Sequence, residues 1–293
     1  MNVAITGSNG FIGKNLRHEF EKYAQLKIIP IDLTNGIDLA GNIDLYSFPP
    51  IDVVVHLAGV SSVADYINNP AELYRINILT TINALELCRK HNSKIIFVSS
   101  SYVYGKPKYL PIDERHPLNP NNPYAQSKVL GESLCLSYKR DFGISYTILR
   151  LFNIYGLGQK ADTVIQSIID QIQSGKKNIV LNDPLPRRDF VYITDLCNAI
   201  INLILNEKDF CEIYNIATGI SYSVNEIAKF ILEIFNKDIS VSYKNLVRPN
   251  EILEVTGDYS KIRRDLGWNP VIGIKEGLEL IIKYKNNIIT EAE

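Results

Sequence analysis

Cysteine is scarce in this chain, long hydrophobic runs are missing, and neither sign of charge is in excess. Each shortage excludes something. The four cysteines (Cys88, Cys135, Cys197, Cys211) are scattered over 293 residues, with no Cys-x-x-Cys pair and no histidine at metal-ligand spacing. They read as reduced, mostly buried thiols rather than a disulfide frame, and no metal is expected. No apolar stretch approaches the ~20 residues needed to cross a bilayer. Lys plus Arg number 31 against 32 Asp plus Glu, a formal charge of −1 with no basic block. That balance argues against nucleic acid or an anionic membrane as partner. Met1 runs straight into a strand-like segment, so no signal peptide is expected and a cytoplasmic setting fits. Internal repeats and low-complexity linkers are not visible either.

What the chain has is apolar content, 46% hydrophobic, enough for a sizeable core in one large domain or a domain with a smaller lobe. Near its start stands Val3-Ala-Ile-Thr-Gly7-Ser-Asn-Gly10-Phe-Ile-Gly13. A β-branched run stops at Gly7, and Phe11, Ile12, Leu16 and Phe20 then recur at helical spacing, which predicts strand, glycine turn and helix. Gly7 allows the tight turn, Gly10 lets backbone approach a pyrophosphate, and Gly13 lets the helix pack closely on the strand. The helix start at Phe11 and Ile12 offers unpaired N–H groups to phosphates. A second strand, Ile28-Ile-Pro-Ile-Asp32, ends in an acid about 20 residues after the turn, as expected of a group that takes adenosine ribose hydroxyls and repels a 2′-phosphate. NAD is therefore expected in preference to NADP. Asp38 and Leu39, at the end of the next short segment, are placed beside the adenine.

Asp52-Val-Val-Val-His-Leu-Ala-Gly59 is a continuous apolar run, as a parallel strand buried on both faces requires. His56 within it reads as a satisfied core residue rather than a base. Ala58 and Gly59 are small enough for a cofactor to lie across the strand end, with Ser61 and Ser62 at the mouth. A helix from 70 to 91 follows, with Asn77 on its apolar side and in need of a buried partner. Lys94-Ile-Ile-Phe-Val-Ser-Ser-Ser101 is another buried strand. After a proline-punctuated loop, a helix runs from Tyr124 to about Phe142, and a strand covers Ile144 to Leu151. Strands alternating with helices to about residue 155 predict an α/β fold of the Rossmann type, a doubly wound parallel sheet. After Gly156 the rhythm changes to a smaller α/β substrate lobe. Residues 1–156 are thus assigned to the dinucleotide-binding unit and 157–293 mainly to the lobe, with parts of 179–220 interleaved with the first sheet.

Tyr124-Ala-Gln-Ser-Lys128 puts a phenol and an ammonium one helical turn apart. A phenol with its ordinary pKa near ~10 is a poor proton carrier at neutral pH, and a nearby ammonium lowers that value. A serine hydroxyl from the neighbouring strand completes a proton relay for hydride transfer at an alcohol carbon. Other Tyr-x-x-x-Lys pairs exist. Tyr23 to Lys27 leaves the first helix, and Tyr104 to Lys108 contains Gly105 and Pro107, so neither forms the required turn.

Taken in order, Thr6-Gly-Ser-Asn-Gly-Phe-Ile-Gly13, Asp52-Val-Val-Val-His-Leu-Ala-Gly59, Ser99-Ser-Ser-Tyr-Val-Tyr-Gly105, Tyr124-Ala-Gln-Ser-Lys128, Leu149-Arg-Leu-Phe-Asn-Ile-Tyr-Gly156, Arg188-Asp-Phe-Val-Tyr-Ile193 and Arg248-Pro-Asn-Glu251 resemble the extended short-chain dehydrogenases/reductases. Within that group the resemblance is to the NAD-dependent epimerase/dehydratase family acting on nucleotide sugars, and it covers essentially the whole chain. It implies Tyr124 as acid/base, Lys128 as the group that lowers its pKa and holds the nicotinamide ribose, and Ser100 as the serine. Leu57, Ala58, Gly59, Asn77 and Phe152 are implied to line the cofactor groove. Asn153, Arg188 and Arg248 match diphosphate contacts, and two fixed positive charges suit a pyrophosphate. Arg188 has a structural alternative, pairing with Asp189 or Glu251. A homodimer through the helices at about 70–91 and 124–142 is implied by the resemblance alone.

The 4,6-dehydratases of this group carry Thr-Asp-Glu where the chain has Ser100-Ser101-Tyr102, so water elimination lacks its carboxylate pair. Two activities remain: a nucleotide-sugar 4-epimerase, favoured by Asp32, and a reductase of GDP- or dTDP-linked 4-keto-6-deoxyhexoses, suggested by the short chain and the Arg-Pro-Asn-Glu ending. A cofactor sensor that lost its chemistry is a third reading, opposed by intact Ser100, Tyr124 and Lys128.

Overall fold

Short β-branched runs flanked by amphipathic helices build a sheet from the first residues onward. The computed structural model describes residues 1–61, 69–206, 211–246 and 251–291, with side chains as far as residue 285. Strands β1 (Asn2–Thr6), β2 (Lys27–Ile31), β3 (Val53–His56), β4 (Lys94–Ser100), β5 (Tyr146–Leu151) and β9 (Glu212–Ile216) form one sheet in the order β2-β1-β3-β4-β5-β9. Every pairing in it is parallel. All four residues of β3 are buried, which is why its sequence is an unbroken apolar run closed by His56. From β1 the chain moves outward to β2 and then returns to the other side of β1 as β3. The connections diverge there and leave a crevice at the carboxyl ends of β1 and β3.

Among the described residues, three helices flank this half: α1 (Phe11–Phe20), α2 (Pro70–His91) and α3 (Pro123–Phe142). Asn69 and Asn122 cap α2 and α3, each with proline in the first turn. Both caps satisfy N–H groups that would otherwise lack partners. The two helices pack on each other, and α3 also lies on β4. That approach needs Gly131, where a Cβ would stand 2.5 Å from the Phe97 ring. Removing aliphatic side chains such as Val3, Val55, Ile96 and Leu149 from water contributes about 1.5–3 kcal/mol each.

The second half makes smaller sheets. Around β8 (Arg187–Tyr192) lie β6 (Asn153–Tyr155), β10 (Ser221–Ser223) and β12 (Glu254–Val255), with only β10 antiparallel to it. A parallel ribbon joins β7 (Asn178–Leu181) to β11 (Ser240–Tyr243). Helices α4 (Val164–Gln173) and α6 (Val224–Phe235) pack together, and α5 (Ile193–Leu205) returns to pack on α1. The chain closes with α7 (Ser260–Leu266) against β9, then α8 (Ile274–Glu291). Asp189 of β8 ties lobe to sheet. Its buried carboxylate accepts from the N–H and hydroxyl of Thr218 at 2.8 and 2.6 Å, from Gly219 N–H at 3.0 Å and from Gly257 N–H at 3.2 Å. Among the described residues, no helix is long and apolar enough to cross a membrane.

Candidate functional site

The glycine turn sits in the crevice beside β3. Gly7 has φ +69, and a Cβ on Gly13 would come within 2.4 Å of the Gly7 carbonyl oxygen, so the third glycine is what lets α1 start against the turn. Helix α1 begins at Gly10 with no side-chain cap and no acid in its first turn, leaving its positive end at Phe11 and Ile12 open to an anion. The hydroxyl of Ser8, inside the turn, is buried and has no hydrogen-bond partner among the described residues. A buried donor without a partner is costly unless a bound group supplies one. These features fit a dinucleotide pyrophosphate.

Asp32 lies on the same side. One carboxylate oxygen accepts from the N–H and hydroxyl of Thr34 at 3.0 and 2.7 Å, the other from Asn9 N–H at 2.9 Å. Burial raises its pKa, but the Asn9 and Thr34 bonds outweigh burial and hold the carboxyl below its usual range, helped by Arg17. Arg17 itself donates to the Asn9 side chain at 2.6 Å. Arg17 of the preceding helix thus places a cation near Asp32. Asp38 is exposed, whereas Leu39 is buried in the core.

Across the crevice, Leu57 and Ala58 donate their N–H groups to the Thr6 hydroxyl at 3.1 Å each. The buried Asn77 amide is committed to Val60, accepting from its N–H at 2.7 Å and donating to its carbonyl at 3.1 Å. It also donates to Ser127 at 2.9 Å. Asn77 thus fixes the loop after Gly59 against α3. Phe152, at the end of β5, is buried and donates its N–H to the Ile216 carbonyl at 3.1 Å.

Ser100, Tyr124 and Lys128 come together at the carboxyl end of β4. Ser100 accepts from Tyr102 N–H at 3.2 Å and hydrogen-bonds the Tyr124 phenol. Part of the Tyr124 ring faces the cavity, but protein crowds its hydroxyl. Burial pushes the phenol up to about 12, against the lowering effect of Ser100. Lys128 is buried, donates to the Val98 carbonyl at 2.9 Å, and lies 6.0 Å from the Tyr124 ring centroid. Burial also pushes it down to about 8, opposed by Glu132 one turn further on. Burial thus decides the phenol's value, and the group that opposes it is Ser100 rather than the expected Lys128. His56 is a core residue, bonded to Thr6 and Thr81 and kept neutral by burial, its pKa about 3.

Tyr124 opens onto a cavity of about 680 Å³, whose walls include Ser61, Tyr102, Asn153 and Arg188. Arg188 pairs with Glu251 and donates to the carbonyls of Arg187 and Ile252 at 2.9 and 2.7 Å, so of its two structural alternatives the Glu251 pair is the one formed. Ser62 and Arg248 lie outside the described residues. Sequence reasoning missed a buried pair behind the site. Arg150 forks onto both oxygens of Glu132 at 3.0 and 2.7 Å, both side chains being 4% exposed, and Ser99 donates to Glu132 at 2.6 Å. Glu132 follows Lys128 by four residues, and that helical spacing was the available signal.

A model of the NAD dependent epimerase/dehydratase family matches residues 3–217. The chain is 37% identical to a provisionally named UDP-glucose 4-epimerase of Methanocaldococcus jannaschii, over 97% of this chain and 98% of that protein. It is 31% identical to GDP-6-deoxy-D-mannose reductase of Pseudomonas aeruginosa, over 95% of each. The structure of UDP-glucose 4-epimerase from Thermotoga maritima with UDP-glucose superposes with a TM-score of 0.87 at 27% identity, covering 99% of this chain and 100% of that one.

Proposed function

The chain belongs to the NAD dependent epimerase/dehydratase family, and from that premise we propose that it is a nucleotide-sugar 4-epimerase inverting the C4 hydroxyl of a UDP-hexose. The observation that carries this reading is the joining of Ser100, Tyr124 and Lys128 at the carboxyl end of β4, where Tyr124 opens onto the cavity. Bound NAD supplies a hydride acceptor that later returns the hydride. The Gly7–Gly13 turn and the open start of α1 hold its pyrophosphate, Asp32 takes the adenosine ribose, and Lys128 the nicotinamide ribose. Asp32 disfavours a 2′-phosphate and so favours NAD.

Tyr124, once deprotonated, accepts the proton of the C4 hydroxyl while Ser100 holds that oxygen. The C4 hydrogen leaves with its electron pair, and the C4–O bond becomes a carbonyl. The 4-keto sugar then turns over in the cavity, whose volume of about 680 Å³ lies within the usual range for small-ligand sites. Hydride returns to the opposite face and Tyr124 gives the proton back. Asn153, Arg188 and Arg248 hold the diphosphate throughout, Arg188 leaving part of its bonding to Glu251.

Likeness to the GDP-6-deoxy-D-mannose reductase supports a second reading, one-way reduction of a 4-keto sugar by the same residues. One experiment separates them. The protein is purified without added cofactor, its bound nucleotide read spectroscopically, and UDP-glucose, UDP-galactose and a 4-keto-6-deoxy nucleotide sugar supplied. Interconversion of the two hexoses without added NADH is expected. Stoichiometric consumption of NADH or NADPH by the keto sugar, with no interconversion, would overturn epimerisation. In either case Tyr124→Phe is expected to lower turnover by about 10²–10⁴-fold.

A further inference from the structure

In the segment Ser100-Ser101-Tyr102 the reaction uses only the first residue. On the short turn Ser101–Tyr104, the side chains of Ser101, Val103 and Tyr104 are buried, while Tyr102 is 43% exposed and lines the cavity. Ser100 holds that turn by accepting from Tyr102 N–H at 3.2 Å, so Tyr102 is fixed by the residue that also bonds Tyr124. The two rings stand edge to face, their centroids 6.3 Å apart at 78°. A sugar with its C4 hydroxyl on Tyr124 must therefore lay a neighbouring ring carbon against Tyr102.

The charged residues among those described that line the cavity are Asp162, Asp183, Glu251 and Arg188, so negative charge prevails there. Ser61, Asn121 and Asn122 offer hydroxyl and amide groups, and Arg188 is the one cation among the described residues that line the cavity, held by Glu251. An aromatic ring packs well on C–H bonds, and its hydroxyl takes one hydrogen bond. A carboxylate pressed on the same ring would lose water and meet no free positive partner among the described residues that line the cavity, which is strongly unfavourable. We propose that Tyr102 is a specificity-determining residue, packing on C5 and its uncharged exocyclic group and so admitting neutral hexoses while rejecting uronates. This rests on the reading of Tyr124 as acid/base.

Steady-state kinetics of the whole protein with UDP-glucose, UDP-galactose and UDP-glucuronate test it. The hexoses are expected to exceed the uronate in kcat/KM by at least about 100-fold. Tyr102→Ala should raise the hexose KM by about tenfold, with kcat the less affected, and shrink the discrimination by about tenfold or more. Tyr102→Phe, which keeps the ring, should recover most of the KM loss. Comparable rates on UDP-glucuronate, or unchanged discrimination in Tyr102→Ala, overturn this inference alone. No turnover of any of the three sugars overturns the 4-epimerase reading, and this inference with it.

Discussion

Burial leaves two neighbouring groups, Tyr124 at the cavity and Lys128 behind it, to titrate one after the other. Lys128 is pushed down to about 8 and Tyr124 up to about 12. The pair sheds its first proton near pH 8, and the form one proton short is the one able to take the substrate's proton, whichever group holds what remains. In the free enzyme kcat/KM is expected to rise with pH through about 8. Lys128→Met removes that first step, so the rise should move upward and the rate at neutral pH fall by about 10²–10⁴-fold. A kcat/KM profile measured on both proteins checks this, and coinciding profiles would end the idea that the pair acts as a unit. The Tyr124–Lys128 relation was legible because four residues make one helical turn. The three serines were not separable in the same way. Folding sends Ser99 to Glu132 and Ser100 to Tyr124, a division that depends on which face of β4 meets α3. Tyr102 was equally hidden, since no periodicity says which residue of a single tight turn will face a cavity.

Elements whose signals are local were read to within a residue or two. The helices expected at 70–91 and from Tyr124 to about Phe142 form as Pro70–His91 and Pro123–Phe142, and Val224–Phe235 starts from a Ser223–Glu226 capping box. β6, β10 and β12 are only two or three residues long, too short for any pattern, and exist because β8 offers them partners. The last helix runs from Ile274 to Glu291. Two substitutions probe how elements are joined. Gly13→Ala forces apart the glycine turn and α1, since the new methyl would meet the Gly7 carbonyl oxygen at 2.4 Å. A loss of about 1–3 kcal/mol in urea denaturation is expected, together with weakened NAD binding by calorimetry. Glu132→Ala leaves the Arg150 guanidinium buried between α3 and β5 without its carboxylate. Breaking such a pair costs about 3–5 kcal/mol. Replacing both residues with methionine should recover much of that loss, and a double variant no more stable than the single one would show that the charges do more than neutralise each other.

Across the whole molecule, one hydrogen-bonded chain links the glycine-turn strand to the helix that carries Tyr124. Thr6 meets His56 Nδ1 at 2.8 Å, and His56 Nε2 meets Thr81 at 3.2 Å. Thr81 donates to the Asn77 carbonyl at 2.7 Å, Asn77 donates to Ser127 at 2.9 Å, and Ser127 donates to the Tyr124 carbonyl at 2.7 Å. The Thr81 hydroxyl spends its proton on Asn77, so it accepts from Nε2–H, which leaves Nδ1 to accept from Thr6. The imidazole is therefore neutral, and a second proton would face a hydroxyl that already accepts from Leu57 and Ala58. Burial agrees, holding the folded pKa at about 3 against an ordinary value of 6.5. Because the folded value is depressed, the contribution of His56 is complete above pH 6.5 and is lost as pH falls towards 3 and the unfolded chain takes the proton. The slope is about 1.4 kcal/mol per pH unit, or about 2 kcal/mol by pH 5. Buried acids such as Asp189 and Asp195, whose values are raised, act in the opposite direction, so the His56 part appears only in a difference. Urea denaturation at pH 7 and pH 5 should show His56→Gln, although less stable at neutral pH, losing about 2 kcal/mol less on acidification than the parent chain. Equal losses in the two proteins would mean that His56 takes up its proton without breaking the chain from Thr6 to Tyr124.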